Sequence, residues 1–187
     1  MQGEVINMYD IHKIIIIGNY DMDDRQGLET VVMETDGMRI NSMLYINDIG
    51  SIPDKKALKN ELKSELYSDM YDEDNLKIKC KEAINGMDAM NKISEFISKK
   101  YTENTLLYFY EPDSACYDYL EQQLLNIDGR IYMSTFDDLI ENIGTENHRD
   151  IYEIMKINNL KTENLIKENK VSMIYFLHAL VEKLLSK

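Results

Sequence analysis

Hydrophobic runs with a β-strand pattern recur along the first three quarters of the chain. The segment His12–Gly18 is a β-branched run ended by glycine, and Asn104–Tyr110 contains a second continuous apolar run. Both patterns are typical of strands buried on both faces. Arg130–Ser134 predicts a further short strand. In Asn75–Lys81, apolar residues alternate with lysines, which predicts a short edge strand.

A hairpin is predicted at Asp36-Gly37, which lies between two further β-rich runs. Asp-Gly is a strong hairpin signal because the tightest hairpin loops need residues that tolerate a positive φ. A two-residue loop at this position places Glu34 opposite Arg39. Opposite charges on facing residues stabilise an antiparallel pair, so the charge pattern agrees with this register.

Helical patterns fill the intervals between the predicted strands. After Asp54, a predicted N-cap, leucine or methionine recurs every four residues to about Tyr71. Further helices are predicted at 87–101, 113–127, from 134 to 143, 146–158 and 163–185. Strands that alternate with helices between residues 75 and 143 imply parallel βαβ units.

The predicted fold class is therefore α/β. We expect a single mixed, mainly parallel sheet with an antiparallel hairpin near the N-terminus, helices on both faces and a helical C-terminal third. No segment rich in proline, glycine and serine marks a boundary. One domain is therefore expected over residues 1–187, with 145–187 as a helical subregion.

The last predicted helix is unusually apolar. In its middle, only Ser172, Tyr175 and His178 carry a polar group. An apolar face this wide indicates either deep burial or an interface with another chain, so a homo-oligomer through this helix is one expectation. His178 is interpreted as a core histidine whose polar atoms have partners.

Negative charge is the strongest compositional signal. The 187 residues include 34 acidic and 21 basic side chains, with a formal net charge of −13, and residues 21–74 alone carry 14 acids against six bases. Nucleic-acid binding requires lysine and arginine on phosphates, so we expect none, and the same charge disfavours anionic membranes. The charge serves either solubility or attraction to a partner protein with a basic surface.

Cysteine and histidine spacing gives no sign of a metal centre. Cys80 and Cys116 stand far apart and the three histidines are scattered, so neither a metal nor another cofactor is expected. Free thiols, the lack of a signal-peptide pattern and the lack of a membrane-spanning run predict a cytoplasmic protein. Cys116 lies in the first turn of a predicted helix, where thiols become reactive, but nearby acids favour an inert cysteine.

The strand ends offer two further candidate sites. Asp21 and Asp23 follow a buried strand, as a catalytic aspartate does, but their segment fails the calcium-loop pattern and a solvated loop is favoured. Ligands of α/β proteins bind at the carboxyl ends of strands. The residues expected there are Gly18, Asn19, Glu111 and Ser114.

Acidic residues also crowd the C-terminal end of the helix predicted after Asp54. Carboxylates at this end oppose the helix dipole and repel one another. A frayed, solvated helix end is one interpretation. A surface that binds a basic partner, with tyrosines as anchors, is the other. The residues of this surface are Tyr67, Asp69, Tyr71, Asp72, Glu73 and Asp74.

Two classes of function remain open on this evidence. The first is a small acidic binding protein, such as a regulator, an inhibitor, an immunity-type protein or a small subunit of a larger complex, which contacts a basic partner protein. The second is a small α/β enzyme or sensor that acts on a nucleotide-like ligand at the strand ends. A flat acidic face favours the first class, and a cleft with converging polar groups favours the second.

Overall fold

Six strands form one mixed sheet in the computed structural model of the protein. The structure describes residues 12–18, 28–50, 56, 76–101, 105–127, 131–142, 150–163, 165–166 and 169–186. The strands are β1 (His12–Gly18), β2 (Glu29–Asp36), β3 (Arg39–Asp48), β4 (Lys77–Ala83), β5 (Thr105–Phe109) and β6 (Ile131–Thr135). They lie in the order β4-β3-β2-β1-β5-β6. The β1–β2 and β2–β3 pairs are antiparallel and the other pairs are parallel, which confirms the predicted α/β class.

Helices cover both faces of the sheet, as predicted. They are α1 (Gly86–Ser98), α2 (Ser114–Leu124), α3 (Phe136–Asn142), α4 (Ile151–Ile157) and α5 (Lys170–Leu185). One core contains α1 and α2, and the other contains α3, α4 and α5. Ile14 and Ile16 of β1 point into the first core, whereas Ile15 and Ile17 point into the second. Burial on both faces therefore explains why β1 is continuously apolar.

Capping side chains set the helix starts that the sequence indicated. The Asp113 carboxylate caps α2. At the start of α3, Thr135 Oγ1 accepts a hydrogen bond from the Asp138 amide at 3.1 Å, and Asp138 Oδ2 accepts one from the Thr135 amide at 3.3 Å. This reciprocal pair is a capping box with aspartate in place of glutamate. The helix predicted between residues 54 and 71 lies outside the described residues.

The hairpin register differs from the predicted one. The loop between β2 and β3 begins at Gly37, with Asp36 opposite Arg39, and a shift in the ladder then places Glu34 opposite Ser42. The positive φ of 54° belongs to Gly37, so the turn is set one residue later than a loop of Asp36-Gly37. The prediction that Glu34 faces Arg39 is therefore wrong.

The apolar helix α5 is buried within its own chain, against β1 and β2. It begins at Lys170, later than predicted, where the Asn169 side chain accepts hydrogen bonds from two amides of the first turn. His178 is fully buried with Nε2 3.2 Å from the Met38 carbonyl oxygen, while Nδ1 has no partner within the described part of the chain. Burial lowers the pKa of His178, so the neutral ring donates from Nε2. Burial within the chain thus accounts for the composition of this helix.

A buried ion pair ties α5 to the sheet. Lys13 of β1 is fully buried, and its Nζ donates to Glu182 Oε1 of α5. Burial, with a further contribution from the Glu182 charge, raises the pKa of the neighbouring Tyr108 to about 12. An unpaired charge in such a place costs several kcal/mol, so arrangements of α5 that separate the two groups are strongly disfavoured.

A second polar network lies on the opposite face, at the amino ends of β1 and β5. The Glu34 carboxylate accepts hydrogen bonds from His12 Nε2 at 3.1 Å and from Ser42 Oγ. Lys100 Nζ lies 3.1 Å from the same carboxylate, and His12 Nδ1 lies 3.0 Å from Thr105 Oγ1. Burial by itself raises the pKa of Glu34, but the three donors outweigh it and lower the pKa to about 2.

The low pKa of Glu34 predicts a loss of stability in acid. The folded-state pKa of about 2 lies below the ordinary value of 4.5, so the stabilisation is complete above pH 4.5 and is lost as pH falls toward 2. This shift corresponds to about 3 kcal/mol. We expect Glu34→Gln to be less stable than the wild type near neutral pH, and the difference in free energy of unfolding to narrow in acid. Urea titrations at several pH values measure this difference. The control is Glu141→Gln, which replaces an exposed acid on α3.

The Lys13–Glu182 pair predicts strongly non-additive mutations. Lys13→Met leaves a buried carboxylate without its cation, which should lower the free energy of unfolding by about 3–5 kcal/mol. Lys13→Met/Glu182→Met removes both charges and keeps comparable volume, so most of that loss should be recovered. A double-mutant cycle by chemical denaturation measures the coupling. Additive losses would show that the two side chains act separately.

Candidate functional site

A cleft of about 350 Å³ opens at the carboxyl ends of β1 and β5. Ile17 of β1, Ile154 of α4 and Met173 of α5 contribute apolar lining. The polar and aromatic side chains that line it are Tyr110, Glu111, Phe136, Asp137, Asp150 and Lys170. The volume suits a small ligand or one long side chain of a partner. Its position is where ligands of α/β sheets bind.

Aromatic packing holds Tyr110 in the cleft wall. Its ring lies 5.7 Å from that of Phe136 in an edge-to-face arrangement at 79°. Phe136 in turn contacts Tyr108 at 5.9 Å between ring centroids. Edge-to-face pairs at such distances are favourable, so packing against Phe136 holds the Tyr110 ring in the wall of the cleft.

Carboxylates dominate the charge of the cleft. Three acids, Glu111, Asp137 and Asp150, line it together with a single lysine, Lys170. Burial raises the pKa of Tyr110, and further increases come from the charge of Glu111, from a hydrogen bond to it, and from the charges of Asp150 and Asp137. The phenol therefore stays protonated and donates to Glu111. The negative charges of all three carboxylates therefore act on the Tyr110 hydroxyl.

Glu111 has an unusual backbone conformation. Its φ is 45°, in the left-handed region that favours glycine and asparagine. A residue with a side chain costs about 1–3 kcal/mol in such sparsely populated regions, and these residues concentrate at functional sites. The strained position holds a carboxylate at the mouth of the cleft, beside the Tyr110 hydroxyl.

Local structure explains the other two acids without a ligand. Asp150 is the N-cap of α4, and its Oδ1 accepts a hydrogen bond from the Tyr152 amide at 3.2 Å. Asp137 lies in the first turn of α3, where the helix dipole favours an acid. Glu111 lies two residues before the N-cap of α2 and itself caps none of the described helices, so local structure accounts for it less fully than for the other two acids.

The structure brings only one of the described strand-end candidates into the cleft lining, and this is Glu111. At Gly18 a Cβ would come within 2.5 Å of the Glu29 carbonyl oxygen, so the close approach of β2 accounts for this glycine. Ser114 is exposed at the first position of α2. Cys116 is fully buried in the core between α2 and the sheet.

The remaining candidates lie outside the described residues. They are Asn19, Asp21, Asp23, Tyr67, Asp69, Tyr71, Asp72, Glu73 and Asp74. Their proposed roles stay predictions.

Sequence reasoning missed Tyr110, Asp137, Asp150 and Lys170 as members of a common site. The rule on strand ends leads to Glu111 because this residue directly follows β5. The other wall of the cleft comes from the starts of α3, α4 and α5, and no local pattern tells where these helices dock. The acids at the starts of α3 and α4 could have indicated this wall of the cleft, although helix capping and the helix dipole explain them equally well.

Neither a metal site nor a membrane span is found in the described part of the chain. Among those residues, no group of three histidine, cysteine, aspartate or glutamate side chains is placed to hold a metal ion. None of the described helices is long and apolar enough to cross a bilayer. No protein-family model matches the chain, and no curated protein shows significant sequence similarity to it. The functional argument therefore depends on the chemistry of the cleft.

The strain at Glu111 predicts a gain in stability on substitution by glycine. Glu111→Gly relieves the left-handed conformation, and we expect the free energy of unfolding to rise by about 0.5–1 kcal/mol. Glu111→Gln keeps the strain and should bring no such gain. Urea denaturation of the two variants and the wild type gives the comparison. A glycine variant less stable than the wild type would mean that the Glu111–Tyr110 hydrogen bond outweighs the strain.

Proposed function

We propose that the protein binds a basic partner protein and takes a positively charged side chain of that partner into the strand-end cleft. The three carboxylates attract a lysine or arginine side chain, and charge-assisted hydrogen bonds to them are among the stronger polar contacts. Tyr110, which is half-buried, adds aromatic surface, against which a cation also binds favourably.

One observation carries this proposal: Glu111 keeps a carboxylate at the cleft mouth in a left-handed backbone conformation that is unfavourable for glutamate. Folding alone would be served better by glycine at this position. The geometry is therefore consistent with a carboxylate retained for binding.

The net charge of −13 supports a basic partner in a second way. A strongly acidic protein accelerates its encounter with a basic one, and surface charges act chiefly on the association rate. Within this proposal the protein acts as a regulator, an inhibitor, an immunity-type protein or a small subunit of a larger complex, in the cytoplasm. The predicted acidic surface at Tyr67–Asp74 would add to the attraction.

A second candidate function is supported by the position of the cleft. A cleft with converging polar groups at strand ends is the feature expected of a small enzyme or sensor that acts on a nucleotide-like ligand. The charge of the lining argues against it, because three carboxylates repel a phosphate and a single lysine offsets only part of that repulsion.

The two functions predict that the same substitutions change ligand affinity in opposite directions. We expect Glu111→Gln/Asp137→Asn to weaken the binding of a labelled arginine-rich peptide by about tenfold, and Lys170→Gln to strengthen it by about twofold. If the cleft binds nucleotides instead, Glu111→Gln/Asp137→Asn should strengthen the binding of ATP measured without a divalent cation, and Lys170→Gln should weaken it. Fluorescence anisotropy at about 0.15 M salt measures both ligands.

The matched control is Glu121→Gln/Glu163→Gln, which removes two exposed carboxylates outside the cleft lining. It changes the net charge by the same amount and should leave peptide affinity within about twofold. Equal losses in the two double variants would reduce the effect to overall charge and contradict a role for the cleft. ATP affinity that rises with Glu111→Gln/Asp137→Asn and falls with Lys170→Gln would favour the second function.

A further inference from the structure

Lysines converge on the side of the sheet that carries α1, despite the net charge of −13. Side chains at alternate positions of a strand share one face, so Lys77, Lys79 and Lys81 of β4 point the same way. Lys79 and Lys81 line a shallow recess with Lys99 and Lys100, which follow α1 in sequence. These five residues, Lys77, Lys79, Lys81, Lys99 and Lys100, are called the lysine face below.

Intramolecular contacts on the lysine face show how it binds a carboxylate. Lys81 Nζ lies 3.1 Å from Glu95 Oε2, and Lys99 Nζ donates to Glu95 Oε1, so one carboxylate is held between two ammonium groups. Lys77 and Lys79 are exposed and have no acidic partner within the described residues. The face therefore contains both an occupied carboxylate position and unused positive charge.

We propose that the lysine face binds an acidic segment of a second protein, whose carboxylates pair with Lys77 and Lys79 as Glu95 does with Lys81 and Lys99. Lysines at alternate positions of β4 repeat every 6–7 Å or so, which is also the repeat of alternate side chains in an extended segment. The recess beside them has a volume of about 20 Å³. That volume accepts one oxygen-sized group rather than a whole ligand, so the segment lies along the face and not in a pocket.

Protection of the sheet edge explains only part of the lysine face. Lysines on an outer strand discourage pairing between copies, and Lys77, Lys79 and Lys81 fit that role. Lys99 and Lys100 follow a helix, where no edge needs protection. Each already faces a carboxylate, Glu95 and Glu34 respectively, so they widen the lysine face while Lys77 and Lys79 supply the charge that is unpaired within the described residues.

An acidic protein segment fits the lysine face better than nucleic acid does, because exposed charges act only over a short distance. Exposed charges act over about 8–10 Å at physiological salt, so a short acidic segment feels mainly the lysine face. A long polyanion such as nucleic acid also comes within range of the acidic residues around the face. Because the protein has a net charge of −13, these residues repel it.

The test uses a labelled peptide with glutamate at every second position and a peptide of the same length with glutamine instead. We expect the wild-type protein to bind the glutamate peptide, and Lys77→Glu/Lys79→Glu to weaken this binding by about tenfold. The matched control Lys161→Glu/Lys183→Glu changes net charge equally at exposed residues outside the face and should stay within about twofold. Thermal melts verify that both double variants fold.

Three results would overturn the proposal. Equal weakening by the two double variants would mean that only overall charge matters, and tighter binding of a single-stranded oligonucleotide would identify nucleic acid as the ligand. Concentration-dependent association that disappears in Lys77→Glu/Lys79→Glu, measured by sedimentation velocity, would assign the face to contacts between copies. Retained binding in Glu111→Gln/Asp137→Asn is also expected, because the face is independent of the cleft.

Discussion

A lysine that is fully buried on β1 requires a carboxylate beside it, and Glu182 of α5 supplies that carboxylate. Lys13 and Glu182 meet this need across nearly the whole length of the chain. The pair joins α5 to β1, and the first turn of the same helix brings Lys170 and Met173 to the cleft at the far end of β1. One electrostatic contact in the core therefore contributes to the shape of a site at the surface.

The described surface carries positive and negative charge in separate places. The cleft at the carboxyl ends of β1 and β5 is lined by acids, and the lysine face lies on β4 and the segment after α1. The two features lie in different parts of the sheet, since β3 and β2 stand between β4 and the β1–β5 pair in the strand order. A net charge is an average over such regions, so it describes long-range steering better than it describes any one contact.

The sequence predicted the α/β class well because strands buried on both faces leave a strong signal. The isoleucines of β1 and the apolar run of β5 are typical of strands buried on both faces, and both strands lie in the interior of the sheet. The hairpin register failed for a physical reason. Local sequence suggested a cross-strand pair between Glu34 and Arg39. In the structure, Glu34 instead belongs to a buried network, in which it accepts a hydrogen bond from His12 of a different strand.

The candidate site was only partly predictable for a related reason. Glu111 follows directly from the rule that ligands bind at strand ends. Asp137, Asp150 and Lys170 depend on how three helices dock, which is a long-range property of the packed chain. The strain at Glu111 is equally invisible in sequence, since a φ of 45° is decided by the turn that surrounds it.

The distance along the chain between Lys13 and Glu182 has a consequence for biosynthesis. At about 5–20 residues per second, a ribosome needs roughly ten to forty seconds to make a chain of this length. During that time β1 to β3 exist without the helix that covers one of their faces, and the ammonium of Lys13 must remain hydrated. The nascent sheet cannot close its second core until Glu182 and the rest of α5 have been synthesised. Until then the apolar face of the sheet stays uncovered, and exposed apolar surface of this kind favours misfolding and capture by a chaperone.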